Sequence, residues 1–322
     1  MIRSAPWIGG AVWLLVLAWL RPGPLEIGWA TALLLLGPLV VVPLGLKLAM
    51  RSSEGGIADR LLRIAAMLQP AGALLLAVSA GRSPGARTAL CALPWLAVTG
   101  LIALAGLARL WRRRFLPWEE LCFDAGLVYL AVGGGWTVLA WGGLRPLGFA
   151  VPIVLLTAVH FHYAGFALPL LTGLAGRTLG SGLWTRTAAL GVIAGVPLVA
   201  AGITASQLGQ GPLIEGAAAV VTALAGLLTA ALYLRLAVRP GRPWIVRLLW
   251  TLTALSLAAG MILAALYGLR TWVSVSWLDM PWMWALHGTV NSLGFAVPGL
   301  IAWAAADSNR DSVDSNRDSG HS

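Results

Sequence analysis

The sequence predicts an all-α, polytopic integral membrane protein with about ten transmembrane helices and both termini in the cytoplasm. Of its 322 residues, 59% are hydrophobic and 11% are charged, whereas soluble domains have about 25% charged residues. The apolar residues also form continuous runs, and about 20 such residues suffice for a helix to cross the hydrocarbon core. Basic residues collect in the short connections between these runs. Together these observations exclude a soluble enzyme, a disulfide-rich secreted protein and a disordered protein.

The apolar runs define the predicted helices in order. The first is short, but it ends in Arg21-Pro22-Gly23-Pro24 and not in a small-residue cleavage site, so we expect an uncleaved first span. We assign residues 1–306 to one transmembrane helical domain. Residues 307–322 repeat Asp-Ser-Asn-Arg-Asp-Ser without any apolar period and should form a disordered polar cytoplasmic tail. The ten runs lie near 5–20, 27–49, 61–80, 88–110, 121–141, 147–172, 186–207, 213–234, 245–269 and 281–304.

The distribution of Lys and Arg predicts the orientation and the main partner. With ten spans, 17 of the 22 basic residues fall on the side that carries both termini, and 5 fall on the other side. This is the positive-inside pattern of a bacterial cytoplasmic (inner) membrane protein. The net charge of +10 therefore indicates contact with the lipid bilayer and not with nucleic acid.

Three histidines within apolar runs are the leading site candidates. An ionisable group inside a bilayer costs free energy, so its presence there indicates a functional site. His160 and His162 lie near the middle of the sixth span, followed by Tyr163, and His287 lies in the outer third of the tenth. Two residues apart on a helix, His160 and His162 project about 200° from each other and cannot hold one ion side by side. His287 and Asn291 are four residues apart and share a face.

Both histidine segments precede a proline. Gly165-Phe-Ala-Leu-Pro169 and Gly294-Phe-Ala-Val-Pro298 echo each other, and a further copy of the second occurs at 147–152. Proline removes the backbone bond to the carbonyl four residues earlier, so we expect broken helices that line a central polar site, as in secondary transporters.

The acidic residues of the fifth span form a second candidate group. Glu119, Glu120 and Asp124 follow the run Arg112–Arg114 and are expected to pair with it. Asp124 lies deepest and could accept a proton on a path towards Tyr129.

These motifs resemble those of the bacterial YndJ-like membrane proteins. The resemblance begins at about residue 115 and rests on three motifs: Asp124-Ala-Gly-Leu-Val-Tyr129, His160-Phe-His-Tyr-Ala-Gly-Phe166 and His287-Gly-x-x-Asn291. The first 110 residues resemble the family in their hydropathy alone. The resemblance implies a polytopic inner-membrane protein, sometimes labelled a transporter, and brings no substrate with it.

His160-Phe-His-Tyr163 also resembles the haem-ligand segment of the haem–copper oxidase main subunit. That family needs six intramembrane histidines and this chain has three, so the full cofactor set is excluded. A single haem or transition metal held by His160, His162 and His287 remains an alternative, with an oxidoreductase or sensor role.

The leading hypothesis is a secondary, proton-coupled transporter of an unknown small solute or ion. His160, His162, Tyr163, His287 and Asn291 would form its site, without a cofactor, and no catalytic residues are predicted because the Walker, HExxH and GxSxG motifs are absent. A structural subunit that binds unknown protein partners remains a third alternative.

Overall fold

The computed structural model describes residues 5–52 and 55–306, and in this part of the chain ten helices follow one another with no strand. Their order and bounds agree with the ten apolar runs, which confirms the predicted all-α polytopic fold. The predicted tail at 307–322 lies outside the described residues. The helices are α1 (Ala5–Leu20), α2 (Ile27–Arg51), α3 (Ile57–Ser79), α4 (Ala86–Arg113), α5 (Trp118–Gly142), α6 (Val151–Leu179), α7 (Leu183–Gln207), α8 (Pro212–Ala237), α9 (Trp244–Gly268) and α10 (Met280–Ala306).

Nine of these helices, α2 to α10, are long and apolar enough to cross a membrane. At 16 residues, α1 would extend about 24 Å at the usual rise per residue, less than the hydrocarbon core of about 30 Å. It packs antiparallel against α2. The Trp13 indole N–H donates to the Ala32 carbonyl at 2.7 Å, and Gly9, earlier in α1, approaches the Leu39 carbonyl, later in α2. Thus α1 and α2 form a helical hairpin.

The second helix lies at the centre of the bundle. It is apolar on every face, and nearly all of its residues from Ala30 to Ala49 are buried, as expected for a helix surrounded by other helices. It contacts α1, α3, α6 and α10. The outer helices instead leave large apolar side chains exposed, such as Leu15 and Met67, where lipid would cover them.

Small residues allow the helices around the centre to approach closely, which is how helices pack in lipid. Gly126 and Gly133, on one face of α5, lie against the Phe166 carbonyl and the His162 ring of α6. This close approach fixes α6, the helix that carries two of the three histidines, against the core.

Candidate functional site

A cavity of about 410 Å³ lies inside the bundle, and helices α2 and α5 to α10 contribute to its wall. Its lining extends from Leu168 and Phe295 in the interior to Glu215 and Gly268 at helix ends. These helix ends adjoin the connections that the charge distribution places outside the cell. Most of the wall is apolar, and His160, His287 and Asn291 are among its few polar members. The sixth and tenth spans therefore meet at one cavity.

His160 presents an unsatisfied atom at this cavity. The ring makes an edge contact with Phe161 at 5.3 Å between centroids and a hydrogen bond with the backbone of Val196 in α7. Its Nε2 is buried and has no hydrogen-bond partner in the part of the chain that the structure describes. A buried polar atom without a partner costs free energy, so this nitrogen is suited to meeting a polar group of a guest in the cavity.

His287 is held by its neighbours in α9 and α10. Its Nδ1 lies 2.8 Å from the Gly260 carbonyl, which as an acceptor fixes the proton on Nδ1. The amide of Asn291 lies 3.3 Å from the same ring nitrogen and donates to the His287 carbonyl at 2.8 Å. A Cβ at position 260 would collide with the Asn291 amide, so Gly260 provides both an acceptor and the space that this pair occupies.

Trp284 is a wall residue that the sequence analysis missed. It is buried, and its Nε1 has no hydrogen-bond partner among the described residues. It is one of several tryptophans near an outer loop, and the packing of α10 places it in the cavity wall. Glu215, at the outer end of the cavity, accepts from Arg270 and from Ser206, each at 2.7 Å.

Tyr163 lines the cavity too, but its hydroxyl is engaged by the backbone. It donates to the Leu33 carbonyl at 2.7 Å, joining α6 to α2. That carbonyl is available because α2 widens into a π-helix at Gly37–Val41 and the Gly37 N–H donates to Leu34 instead. The hydroxyl thus stabilises the central helix where its regular bonding is interrupted.

His162 faces away from the cavity, as the 200° separation from His160 predicts. It is completely buried. Trp95 donates to its Nε2 at 3.0 Å, and its Nδ1 lies 2.8 Å from the Ala158 carbonyl. Gly37 and Gly133 crowd the ring, since a Cβ at either position would lie about 3 Å from it. Both ring nitrogens are therefore used within the protein.

This arrangement bears on the metal alternative for His160, His162 and His287. Within residues 5–52 and 55–306 there is no group of three or more His, Cys, Asp or Glu side chains placed to hold a metal ion. His160 and His287 share the cavity, whereas His162 has no free ring nitrogen to offer a metal or a haem. The three proposed ligands therefore do not lie together: His160 and His287 line the cavity, and His162 is bonded to Trp95 and Ala158.

The carboxylate of Asp124 lies in a buried ionic cluster at the predicted cytoplasmic end, away from the histidines. Arg109 Nε donates to it at 2.5 Å and Arg113 at 2.9 Å. Glu120 pairs with Arg113 and, at 2.5 Å, with Arg177 of α6. Arg109 and Asp124 are each 1% exposed or less. The sequence predicted Arg112–Arg114 as the partners of these carboxylates. It did not indicate Arg109, which lies one turn earlier in α4, or Arg177, which lies in α6.

Tyr129 does not continue a path from Asp124. Its hydroxyl donates to the Ile193 carbonyl of α7 at 2.8 Å, whereas Asp124 faces α4. Pro197 interrupts α7 and leaves the carbonyl four residues earlier, that of Ile193, without its backbone donor. Tyr129 supplies the missing donor, and the structure does not bring it together with Asp124 or with the cavity.

The helices do not break before Pro169 and Pro298. The backbone instead widens into π-helical turns at Tyr163–Ala167 and Val290–Ala296, both within continuous helices. A wider turn accommodates the proline ring while most backbone bonds are kept, and such turns are frequent at functional sites. The third copy, at 147–152, lies at the start of α6 and forms no such turn.

The ten apolar helices and the intramembrane cavity define a multi-pass integral membrane protein. A family model described as "YndJ-like protein" matches residues 32–295, and the chain therefore belongs to the YndJ-like family. This match begins in α2, so the likeness extends well before residue 115, where the sequence analysis had placed its start.

One relative is the "Uncharacterized membrane protein YndJ" of Bacillus subtilis (strain 168), 34% identical over 227 residues. The alignment covers 70% of this chain and 40% of the relative, so the chain spans about 40% of the length of that protein. No solved structure matches the chain significantly. The relative and the nine long apolar helices identify a multi-pass protein of the bacterial cytoplasmic membrane.

Proposed function

We propose that the protein is a secondary transporter whose substrate is a small, largely apolar compound bearing at least one hydrogen-bonding group. The observation that carries this proposal is the cavity of about 410 Å³ with two unpartnered polar atoms, His160 Nε2 and Trp284 Nε1, in its wall. Small-molecule sites are typically apolar cavities of about 300–1,000 Å³ with a few polar groups that fix orientation.

The polar atoms indicate how a guest would be oriented. The Trp284 indole can only donate, so it would bind an oxygen or other acceptor of the guest. The His160 Nε2 can accept or donate according to the tautomer. His287 and Asn291 lie on the same wall, held in place by Gly260. A guest with one acceptor and one further hydrogen-bonding group would offer a partner to each of these two atoms.

Two features support transport over static binding. The cavity reaches the predicted outer end of the bundle, while the ionic cluster of Arg109, Asp124 and Glu120 ties α4 to α5 at the opposite end. Alternating access needs such a closed side and an open side around one central site. His160 and His287 are ionisable groups in the cavity wall, which makes them the candidates for coupling transport to proton movement.

The test uses proteoliposomes that contain the full chain and a pH-sensitive dye. Indole, tryptophan and naphthoate are added outside as a neutral, a zwitterionic and an anionic probe. We expect one class to evoke proton movement that protein-free liposomes lack and that His160→Gln abolishes. Trp284→Phe should weaken the response, while Trp277→Phe, at an exposed tryptophan, should not. The proposal would be contradicted if all three probes gave no flux and no His160-dependent binding.

A further inference from the structure

Helices α5 and α7 are joined to each other in the predicted cytoplasmic half of the bundle. At their cytoplasmic ends, the Arg186 guanidinium of α7 lies over the Trp118 ring of α5, 4.7 Å from its centroid. Near the midpoints of both helices, the Tyr129 hydroxyl donates to the Ile193 carbonyl at 2.8 Å. These contacts hold the two helices together from the cytoplasmic end to about the middle of the bilayer.

Beyond this contact, towards the predicted outer side, both helices line the histidine cavity. Pro197 lies between the part of α7 that is joined to α5 and the part that lines the cavity, and a proline inside a helix kinks it. The cavity therefore lies along the outer halves of α5 and α7. The residues of these two helices in its wall are Val132, Trp136, Val199, Ala200, Ile203 and Thr204.

This side of the cavity borders the lipid-facing surface. Val132 belongs to the wall and is nevertheless 39% exposed. On α7, Leu198 precedes the wall residue Val199, does not itself line the cavity, and is 43% exposed. Val132 lies ten residues before the end of α5 at Gly142, which is about 15 Å along the helix axis. It is therefore within the hydrocarbon core of about 30 Å, where an exposed side chain meets acyl chains.

The chemistry of this part of the wall suits hydrocarbon. Val132, Val199, Ala200 and Ile203 are apolar and Trp136 is aromatic. The hydroxyl of Thr204 is used within its own helix, because it donates to the Ala200 carbonyl at 2.8 Å. Buried water needs polar partners and apolar cavities stay dry, so an apolar chain is better suited to this space than water is.

We propose that the gap between the outer halves of α5 and α7 is a lateral portal that takes up a hydrocarbon chain from the outer leaflet into the histidine cavity. The acyl chain of an outer-leaflet lipid occupies the portal when no guest does. A guest that enters here must be soluble in the bilayer, which narrows the class of substrate to lipid-soluble compounds. The role of the portal in substrate entry rests on the transport function proposed above, whereas its occupation by an acyl chain does not.

The experiment uses the full chain in proteoliposomes that contain a phosphatidylcholine with a diazirine in the middle of one acyl chain. After illumination, peptide mass spectrometry identifies the residues to which the lipid has been cross-linked. We expect adducts on the lipid-facing Leu198 and also on Thr157 and His160, which line the cavity from α6. Adducts on the last two residues show that an acyl chain reaches the interior of the cavity.

Variants test whether the chain enters between α5 and α7. Ala200→Trp places an indole in the portal and should abolish the adducts on Thr157 and His160. Leu198→Trp adds the same side chain to α7 outside the wall, so it is the matched control and should leave both adducts unchanged. Val132→Phe narrows the portal from α5 at an exposed position, and it keeps the test decisive if Ala200→Trp folds poorly.

The portal is refuted if Leu198 is cross-linked in the wild-type protein while Thr157 and His160 are not. It is equally refuted if the adducts on these two residues persist in both Ala200→Trp and Val132→Phe, or if Leu198→Trp removes them as well. Cross-linking requires no solute flux, so a negative result here is separate from a negative result in the proteoliposome transport assay.

Discussion

The indole N–H of Trp95 in α4 donates to Nε2 of His162 in α6 at 3.0 Å, and the two ring planes are within 18° of each other with their centroids 5.8 Å apart. This contact gives His162 a different role from His160, which lies two residues earlier in the same helix. His162 holds α6 against α4, while His160 faces the cavity with one nitrogen free. In this motif His162 therefore has a structural role, whereas His160 lies in the cavity wall, where a guest could contact it.

Replacing Trp95 by Phe should destabilise the protein modestly. Phenylalanine keeps an aromatic ring at this position, but His162 Nε2 loses its donor in a fully buried position. Hydrogen bonds between membrane helices contribute about 0.6 kcal/mol on average and up to about 1.7 kcal/mol. We expect a lower melting temperature in detergent, measured by scanning fluorimetry. Trp111→Phe, at an exposed tryptophan, is the control, and an equal effect of the two changes would argue against a structural role for the contact.

Replacing Gly260 by Ala should impair the cavity and leave the fold largely intact. The new methyl group would collide with the Asn291 amide, and overpacking of this kind costs about 1–3 kcal/mol. Asn291 and His287 would have to move, so binding of the active probe should weaken more than stability falls. Gly135→Ala, where a Cβ meets open space, is the matched change. Unaltered probe affinity in Gly260→Ala would exclude this pair from the binding wall.

Replacing Asp124 by Asn should be the most damaging of these changes. Arg109 and Arg113 would lose a buried carboxylate, and removing one partner of a buried ion pair costs about 3–5 kcal/mol. We expect low yield or a clear fall in melting temperature. Glu119→Gln changes a carboxylate that accepts from Ser181 in an exposed contact and should have little effect. If both variants were equally stable, the cluster would not hold α4 and α5 together.

The purified protein should show no haem absorption and no stoichiometric metal. The physical reason is that His162 has both ring nitrogens hydrogen-bonded. Among the described residues, His160 and His287 are the two histidines that line the cavity. A visible absorption spectrum with elemental analysis checks this directly. A Soret band or bound metal that disappears in His160→Ala with His287→Ala would instead establish these residues as ligands.

The local features of the candidate site were largely predictable from the sequence. Helical spacing placed His160 and His162 on opposite faces and His287 beside Asn291, and the prolines indicated where α6 and α10 depart from regular geometry. The form of that departure was not predictable, because a π-helical turn and a broken helix both relieve the clash of a proline ring. Trp284 was missed for a similar reason, because an indole near a helix end is equally suited to the interface and to a cavity wall.

The sequence by itself determined the class of the protein, the number and limits of its helices, and which polar groups lie at membrane depth. These follow from hydropathy and periodicity, which are properties of single segments. Only the tertiary structure decided that His160 and His287 share a cavity, that His162 is tied to Trp95, and that Asp124 pairs with Arg109. Those relationships join helices far apart in the chain, and they depend on which faces meet when small residues let the helices approach.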